Sequence, residues 1–191
     1  MQKRKIILAS RSPRRKKILS QMGVVFESRQ SQYEEDMQAM SDPVKLVKFL
    51  ALQKAKDVAK HYKDAIIIGA DTFVIFAGKF VGKPSSKKDA KRILRMLSGK
   101  EHRIVSGFAI IDTKNKKFIN DFGEARVKFK KLSDKEIDDY IKTGDPLDKA
   151  GAYGVMDKGA FLVESIKGDF YSIVALPIAK VITELRKMKA I

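Results

Sequence analysis

The chain has 191 residues and no cysteine, which excludes a disulfide framework, a thiolate metal site and a cysteine nucleophile. Its composition, 44% hydrophobic and 33% charged, is that of a folded soluble protein, and no apolar run is long enough to span a bilayer, since the nearest, residues 65–81, is interrupted by Asp71 and Lys79. The formal net charge of +17 indicates an anionic partner, but the cations are spread along the chain without a zinc-finger spacing, an RNP pattern or a heptad zipper.

Strands and helices alternate in the first part of the chain. The apolar residues of 5–9 predict a strand, and Ser12 is a suitable N-cap for a helix over residues 13–22. A long amphipathic helix is expected from residue 43 to about 61. The continuous apolar run of residues 65–69 is typical of a strand buried on both faces.

The second part of the chain predicts a longer antiparallel stretch. The sequence after residue 71 continues as a hairpin that turns at Ala77-Gly78. The further elements are helices near residues 86–99, 133–144 and 178–188 and strands over residues 102–112 and 117–129. This order predicts a mixed sheet in an α/β or α+β protein, with residues 1–191 forming one domain of two lobes and no clean linker.

The start of the helix over residues 13–22 carries consecutive cations from Arg14 to Lys17. Helix N-termini favour acidic side chains, because free amide groups and the macrodipole place partial positive charge there. A bound anion would offset this repulsion, and the hydroxyls of Ser10 and Ser12 together with the arginines suit phosphate oxygens. The stretch therefore predicts an anion site, with an exposed basic helix behind an ordinary Ser-Pro cap as the alternative.

Acidic side chains form a second candidate group. Asp71 follows the apolar run of residues 65–69, so it is expected at the carboxyl end of a strand, where open α/β sheets place their ligand crevice. There it can hold a divalent metal or act as a general base toward water, whereas a turn-forming aspartate is the alternative. The pair Glu34-Glu35 can share that metal, since hard carboxylate oxygens suit Mg²⁺.

Two lysines and one glycine-rich stretch complete the candidates. Lys83, fixed between a glycine and a proline, and Lys54 on the long helix can each hold a phosphate as a point charge, although such lysines are more often solvated. A Walker loop and a GxGxxG fingerprint are both absent, so any nucleotide site must be built differently. Residues 145–177 contain closely spaced glycines, which predict a tightly folded loop that either approaches a ligand or crosses between lobes.

Taken together, these stretches resemble the Maf family of nucleoside triphosphate pyrophosphatases. The family's pattern is matched, in order and over nearly the whole chain, by LASRSPRR, YEE, QKAK, GADTFV, GKP, RMLSGKEH, LSDKEIDDYIKTGDPLDKAGAYG and GDFYSIVALP. Each piece is modest evidence alone, but their joint occurrence is highly specific. The resemblance implies an elongated Maf/ITPase-like α/β fold, with a mixed curved sheet and helices forming two lobes around a central cleft. It also implies a homodimer, and together with the lack of cysteine it favours a cytoplasmic location.

The resemblance further implies hydrolysis of a nucleoside triphosphate between its α- and β-phosphates, giving a monophosphate and pyrophosphate, with a divalent cation, Mg²⁺ or Mn²⁺, as cofactor. The matching catalytic positions are Asp71, Lys83, Lys54 and Glu35, of which Asp71 and Glu35 are also the expected metal ligands. The matching substrate-binding positions are Ser10, Arg14, Arg15 and Met156. The cations and helix amides would neutralise the triphosphate, while Asp71 and the metal activate the attacking water.

The preferred base depends on the glycine-rich loop. The stretch DKAGAYG looks like the branch that acts on dTTP and UTP, which normally continues Ile-Gln-Gly, whereas this chain reads Val155-Met156-Asp157. A glutamine amide matches the hydrogen-bonding edge of a pyrimidine, and Met156 offers only an apolar contact. Two alternatives therefore stay open: the same chemistry on modified purine nucleotides such as ITP, and a basic nucleic-acid-binding or cell-division regulatory protein without useful turnover.

Overall fold

The structure is a computed structural model that describes residues 4–191. Within this range, seven strands form one mixed sheet in the order β2-β1-β3-β5-β6-β7, and β4 pairs with β3 off this path. The strands are β1 (Lys5–Leu8), β2 (Glu27–Ser28), β3 (Ala65–Phe76), β4 (Lys79–Val81), β5 (Glu101–Asp112), β6 (Lys117–Phe129) and β7 (Val163–Gly168). The mixed α/β class expected from the sequence is confirmed.

Six α-helices accompany the sheet in the described part of the chain. They are α1 (Pro13–Gln21), α2 (Pro43–Ala59), α3 (Lys87–Leu97), α4 (Asp134–Lys142), α5 (Phe170–Val174) and α6 (Ile178–Lys187). The four helices α1 to α4 each begin after a side chain that accepts a hydrogen bond from a first-turn amide, supplied in turn by Ser12, Asp42, Ser86 and Ser133. None of the helices described is long and apolar enough to cross a bilayer.

Contacts within the chain divide it into two compact units. The first contains the described residues up to Thr72, together with Ser106–Gly123 and Ala175–Ile191. In it, β1 lies between β2 and the first part of β3, parallel to both, and Lys5 to Leu8 pair with Ala65 to Ile68. One of its apolar clusters joins these strands to α2 through Ile7, Ala9, Ala55, Val58, Ala65, Ile67 and Ala109.

The second unit contains Phe73–Val105 and Glu124–Val174. Here the end of β3 forms a hairpin with β4, and the predicted turn is confirmed because Ala77 and Gly78 both have positive φ, 48° and 75°. Helices α3 and α4 are joined by two ion pairs, Lys91 with Asp138 and Arg95 with Asp134. The core of this unit is one apolar cluster that includes Leu94, Val127, Phe129, Tyr140, Tyr153 and Leu162.

Several elements differ from the sequence-based expectation. The buried run of residues 65–69 does not end a strand: β3 continues past the end of β1 to Phe76, next to β5, and its last residues, Val74 to Phe76, pair with β4. The short elements β2, β7 and α5 are absent from the prediction, since two to six residues with little apolar periodicity give no readable pattern. The glycine-rich stretch contains three 3-10 turns, Asp145–Asp148, Ala150–Ala152 and Lys158–Leu162, and is tightly folded as predicted.

Candidate active site

The candidate site of the first unit begins where β1 ends. Ala9 still donates a backbone hydrogen bond to Ile68 (2.8 Å), after which the chain turns through Ser10 into α1. The parallel neighbour β3 runs on, so Asp71 lies just past the last paired residue of β1 and is almost wholly buried. Asp71 is therefore in the middle of a long strand, where the sequence predicted a strand end. It still lies beyond the carboxyl end of the parallel pair, which is the usual place for a ligand in such sheets.

A close approach of helix α2 to strand β3 brings Lys54 to this point. A Cβ atom on Gly69 would lie 2.3 Å from the Ala51 carbonyl oxygen and 2.8 Å from the Ala55 backbone nitrogen, so only glycine fits there. Gly107 on β5 is packed against α2 in the same way, since a Cβ atom added there would lie 2.6 Å from the Val47 carbonyl oxygen. The helix backbone thus rests directly on the sheet, with Lys54 on the turn between Ala51 and Ala55.

Lys54 connects two carboxylates. Its Nζ atom lies 2.8 Å from Oδ1 of Asp71 and 2.7 Å from Oε1 of Glu35. These three residues, Glu35, Lys54 and Asp71, are here called the trio. The side chains of Lys54 and Asp71 are 13% and 11% exposed, whereas that of Glu35, at the surface end, is 44% exposed. With both acids ionised, one ammonium leaves this trio with a net charge of about −1.

The second carboxylate oxygen of Asp71 has no hydrogen-bond partner. Oδ2 is buried, and nothing among the described residues donates to it. An unpartnered buried polar atom is unfavourable, so its presence in a candidate site indicates a ligand that is not part of the chain. The described residues contain no group of three or more Asp, Glu, His or Cys side chains suited to a metal ion. If the ligand is a metal ion, the protein therefore supplies at most two carboxylates to it here.

Arg15 is held by three oxygens of the first unit. Its Nε donates to the carbonyl oxygen of Ala175 (3.1 Å), one terminal nitrogen donates to Oγ of Ser10 (3.1 Å) and the other to Oγ1 of Thr72 (3.4 Å). Thr72 is in turn hydrogen-bonded to Oγ of Ser106 at 2.7 Å. Burial lowers the pKa of the Arg15 guanidinium, an effect opposed by the charge of Asp71, yet an arginine stays charged at any physiological pH.

The carbonyl that receives Arg15 belongs to a strained residue. Ala175 has φ of 123°, a region that side chains other than glycine rarely adopt. Because three of the five N–H donors of Arg15 are used inside the protein, two remain for a ligand. Arg15 therefore places a fixed positive charge in the site, and two of its N–H groups can also bind a ligand directly.

Arg14 and Ser10 complete this side of the site. Arg14 lies in the first turn of α1 next to Arg15, and its guanidinium has no hydrogen-bond or ion-pair partner among residues 4–191. Oγ of Ser10 accepts from the backbone amide of Ser12 at 3.2 Å as well as from Arg15. The basic start of α1 thus contains one anchored arginine and one free arginine.

Two predicted site residues lie in the second unit. Lys83 is exposed just after β4, on the rim of a cavity of about 330 Å³ whose lining includes Phe76, Phe80 and Met96. Met156 is 38% exposed in the glycine-rich stretch. The two segments that carry them are joined by a hydrogen bond of 3.0 Å from the Gly151 amide to the Gly82 carbonyl. The structure thus brings Ser10, Arg14, Arg15, Glu35, Lys54 and Asp71 into one unit and Lys83 and Met156 into the other.

Some residues of this site were missed in the sequence. Ser106 carried no signal of its own, and Ala175 lies in GDFYSIVALP, a stretch that the resemblance matched without giving that residue a role. Their contacts with Thr72 and Arg15 depend on the tertiary fold. Asp57 on α2 is different: its carboxylate accepts hydrogen bonds from Ser31 and Gln32, shortly before Glu35 in the chain. It follows Lys54 by three residues, and such spacing places two side chains on one helix face. That spacing was a usable signal.

Comparison with known proteins identifies the family of this chain. The family model described as Maf-like protein matches residues 5–188 of the chain. The chain belongs to the Maf-like protein family. The "dTTP/UTP pyrophosphatase" of Dictyoglomus thermophilum is 46% identical over 187 residues, covering 97% of this chain and 97% of the relative. The protein of the same name from Bacillus anthracis is 47% identical over 184 residues, covering 96% and 95%. The resemblance of the Maf motifs noted in the sequence is thereby confirmed.

Among solved structures, this Maf-like chain is similar to a HAM1 protein from Coxiella burnetii. The two chains share 14% sequence identity, and the match covers 67% of this chain and 74% of that one with a TM-score of 0.44.

Proposed function

We propose that this chain hydrolyses dTTP, UTP or closely related nucleotides to the nucleoside monophosphate and pyrophosphate, with the help of a divalent cation. The class of enzyme, a nucleoside triphosphate pyrophosphatase, is that of its full-length Maf-like relatives. Water adds its oxygen to the α-phosphorus, and the bond from that phosphorus to the bridging oxygen breaks, so that pyrophosphate leaves. The observation that carries the proposal is the unpartnered Oδ2 atom of Asp71 beside the Lys54 ammonium.

The charge of the trio supports the divalent cation. Glu35, Lys54 and Asp71 together carry about −1, so phosphate oxygens placed against the two carboxylates would be repelled unless a cation lay between them. Mg²⁺ is usually bound in proteins by one or two carboxylates, waters and substrate phosphates, so Asp71 Oδ2 and Glu35 fit that ion without a third acid. When bound, Mg²⁺ or Mn²⁺ would neutralise phosphate charge and lower the pKa of a water that it holds.

The cations of the first unit supply the phosphate contacts. Arg14 has a free guanidinium that can bind two phosphate oxygens at once, and Arg15 keeps two N–H groups for the same anion. The Ser10 oxygen accepts hydrogen bonds from the Ser12 amide and from Arg15, which leaves its O–H group to donate to a phosphate oxygen. Lys83 is proposed as a further point charge on the triphosphate.

Asp71 is proposed to receive the proton of the attacking water or to hold the ion that activates it. Oδ1 is occupied by Lys54, which leaves Oδ2 to act. The Lys54 ammonium also offsets the charge of this poorly exposed carboxylate.

The first experiment measures pyrophosphate release from a panel of dTTP, UTP, CTP, ATP, GTP and ITP with Mg²⁺ or Mn²⁺. We expect metal-dependent turnover by the wild type and a loss of at least about 100-fold in Asp71→Asn, the scale of a lost general base. Asp64→Asn is the matched control, because Asp64 immediately precedes β3 and pairs at the surface with Arg4 and Lys114.

The outcomes separate the parts of this proposal. An Asp71→Asn protein as active as the wild type would remove the role assigned to Asp71. A wild type that turns over none of these nucleotides with either metal would remove the catalytic function, and salt-sensitive binding to DNA or RNA would then be the next measurement because of the +17 charge.

A further inference from the structure

The loop that carries Glu35 has no regular structure of its own. Residues 31–35, here called the Glu35 segment, contain neither helix nor strand. The position of the Glu35 carboxylate against Lys54 therefore depends on whatever fixes this segment. An extended segment without ladder hydrogen bonds would otherwise be free to move, at an entropy cost for each residue that a ligand had to order.

Asp57 on α2 accepts hydrogen bonds from this segment. Its Oδ2 atom receives the backbone amide of Gln32 at 2.7 Å and the hydroxyl of Ser31 at 3.0 Å. The same Ser31 hydroxyl oxygen accepts from the amide of Tyr33 at 3.0 Å. One carboxylate thus organises three consecutive residues that end two positions before Glu35.

The place of Asp57 in its helix is unfavourable in itself. It lies in the last turn of α2, which ends at Ala59, and the negative end of the helix macrodipole disfavours an acid there. The pKa of Asp57 is nevertheless lowered, first by the Gln32 amide and then by the Ser31 hydroxyl and Lys60 against the effect of burial. The ionised acid is therefore stabilised chiefly by the loop that it holds.

We propose that Asp57 is a positioning residue that anchors the Glu35 segment to α2, one helical turn from Lys54, and so places the Glu35 carboxylate beside the Lys54–Asp71 pair. The role in turnover rests on the proposed function, whereas the anchor itself does not. Helix α2 then contributes twice to the site, through Lys54 directly and through Asp57 by way of the loop.

The anchor is tested by amide hydrogen exchange of the purified full chain, with the Gln32 and Tyr33 amides resolved. We expect Asp57→Ala to speed exchange at these amides by about tenfold or more, because it removes two hydrogen bonds from the segment. Asp57→Asn should keep exchange close to wild type, since its carbonyl oxygen can accept both bonds. Unchanged exchange in Asp57→Ala overturns the proposal.

Asp139→Ala is the matched control. Asp139 also lies in the last turn of its helix, α4, and pairs with a lysine three residues on, as Asp57 does with Lys60. It should leave exchange of the Glu35 segment unchanged. Should Asp57→Ala fold poorly, Ser31→Ala removes one bond of the anchor from the loop side. Exchange is then followed at the Gln32 amide, which still donates to Asp57 and should exchange faster by a smaller factor, because the Tyr33 amide loses its own acceptor in this variant.

A double-mutant cycle tests the route through Glu35. Asp57→Ala is expected to lower kcat/KM for the best nucleotide about tenfold and to raise the Mg²⁺ concentration needed for half-maximal rate. In a Glu35→Gln background, Asp57→Ala should have almost no further effect, because the carboxylate that it positions is gone. Full additivity of the two changes contradicts positioning. If the wild type turns over no nucleotide, the proposed function is wrong, and amide hydrogen exchange alone then decides whether Asp57 anchors the Glu35 segment.

Discussion

The ammonium of Lys54 lies 2.8 Å from the buried carboxylate of Asp71, in a pair whose side chains are 13% and 11% exposed. A pair this poorly hydrated differs from the surface ion pairs of the protein, such as Lys142 with Asp139, which are worth little. Removing one partner of a buried pair leaves an uncompensated charge, whereas neutralising both leaves none. The pair therefore serves stability and the candidate chemistry together.

Lys54→Met should lower the free energy of unfolding by about 3 kcal/mol, the cost of leaving Asp71 without its partner. The double variant Lys54→Met/Asp71→Asn should be more stable than the sum of the single effects allows, since no unpaired charge is then buried. Urea unfolding of the four proteins at pH 7 measures this. Additive effects would show that the ion pair contributes nothing specific to stability.

Gly69→Ala should be among the most damaging single-methyl substitutions in the chain. The added Cβ would lie 2.3 Å from the Ala51 carbonyl oxygen, so helix α2 has to move off the sheet, at a cost of about 3 kcal/mol or more. Gly82→Ala is the control, because a Cβ there meets nothing within 4 Å. Thermal unfolding should show a large loss for the first and almost none for the second; equal losses would contradict the close approach of α2.

His102 should make the protein less stable in mild acid. Burial lowers the pKa of His102 from 6.5 to about 4, and its ring packs against Phe129 and hydrogen-bonds to Tyr153 at 2.8 Å. Between these pH values the unfolded chain binds a proton that the native state does not, so the free energy of unfolding falls as the pH drops from 6.5 to 4. The full effect is about 3 kcal/mol, and it levels off below pH 4.

The measurement is the free energy of unfolding of the wild type and His102→Gln across pH 4 to 7. The difference between the two curves isolates His102, because the carboxylates and His61 are common to both proteins. A difference that stays constant with pH would mean that His102 titrates alike in both states.

Met156→Gln should raise kcat/KM for dTTP and UTP by about twofold to tenfold, the value of one net hydrogen bond to a base edge. Met156 is 38% exposed and has no polar atom that could read a pyrimidine. The same panel of nucleotides, including ITP, measures the change for each base. No gain on any pyrimidine nucleotide would contradict the role given to position 156, and a fall in ITP turnover would favour a purine substrate for the wild type.

The local parts of the fold could be predicted because their signals lie within a few residues. Ser12, Asp42, Ser86 and Ser133 each precede a helix and cap it, and the Ala77-Gly78 turn follows from its residues. The extent of β3 could not be predicted in the same way. β3 runs on past the end of β1 beside β5, which is a relation between segments distant in the chain, before its last residues pair with β4.

The candidate site shows the same division. Helix start, strand and lysine motifs predicted Ser10, Arg14, Arg15, Lys54 and Asp71, and the structure brings these together. The sequence did not show that Arg15 is held by Ala175, because that contact joins residues 160 positions apart. The acidic pair by itself did not separate Glu35 from Glu34, and only the family resemblance chose Glu35, which the structure pairs with Lys54.

The glycine contact between α2 and β3 also bears on how this protein can change over time. Main-chain atoms of Ala51 and Ala55, together with the Ala55 Cβ atom, meet the strand at Gly69 with no larger side chain between them. The distance between the Lys54 ammonium and the Asp71 carboxylate is therefore set by the backbone and not by the volumes of aliphatic neighbours such as Leu46 or Val58. Those neighbours can be replaced by apolar residues of similar volume in descendant sequences without changing the distance between the charged groups. The core can therefore change in sequence while the geometry of the site is kept.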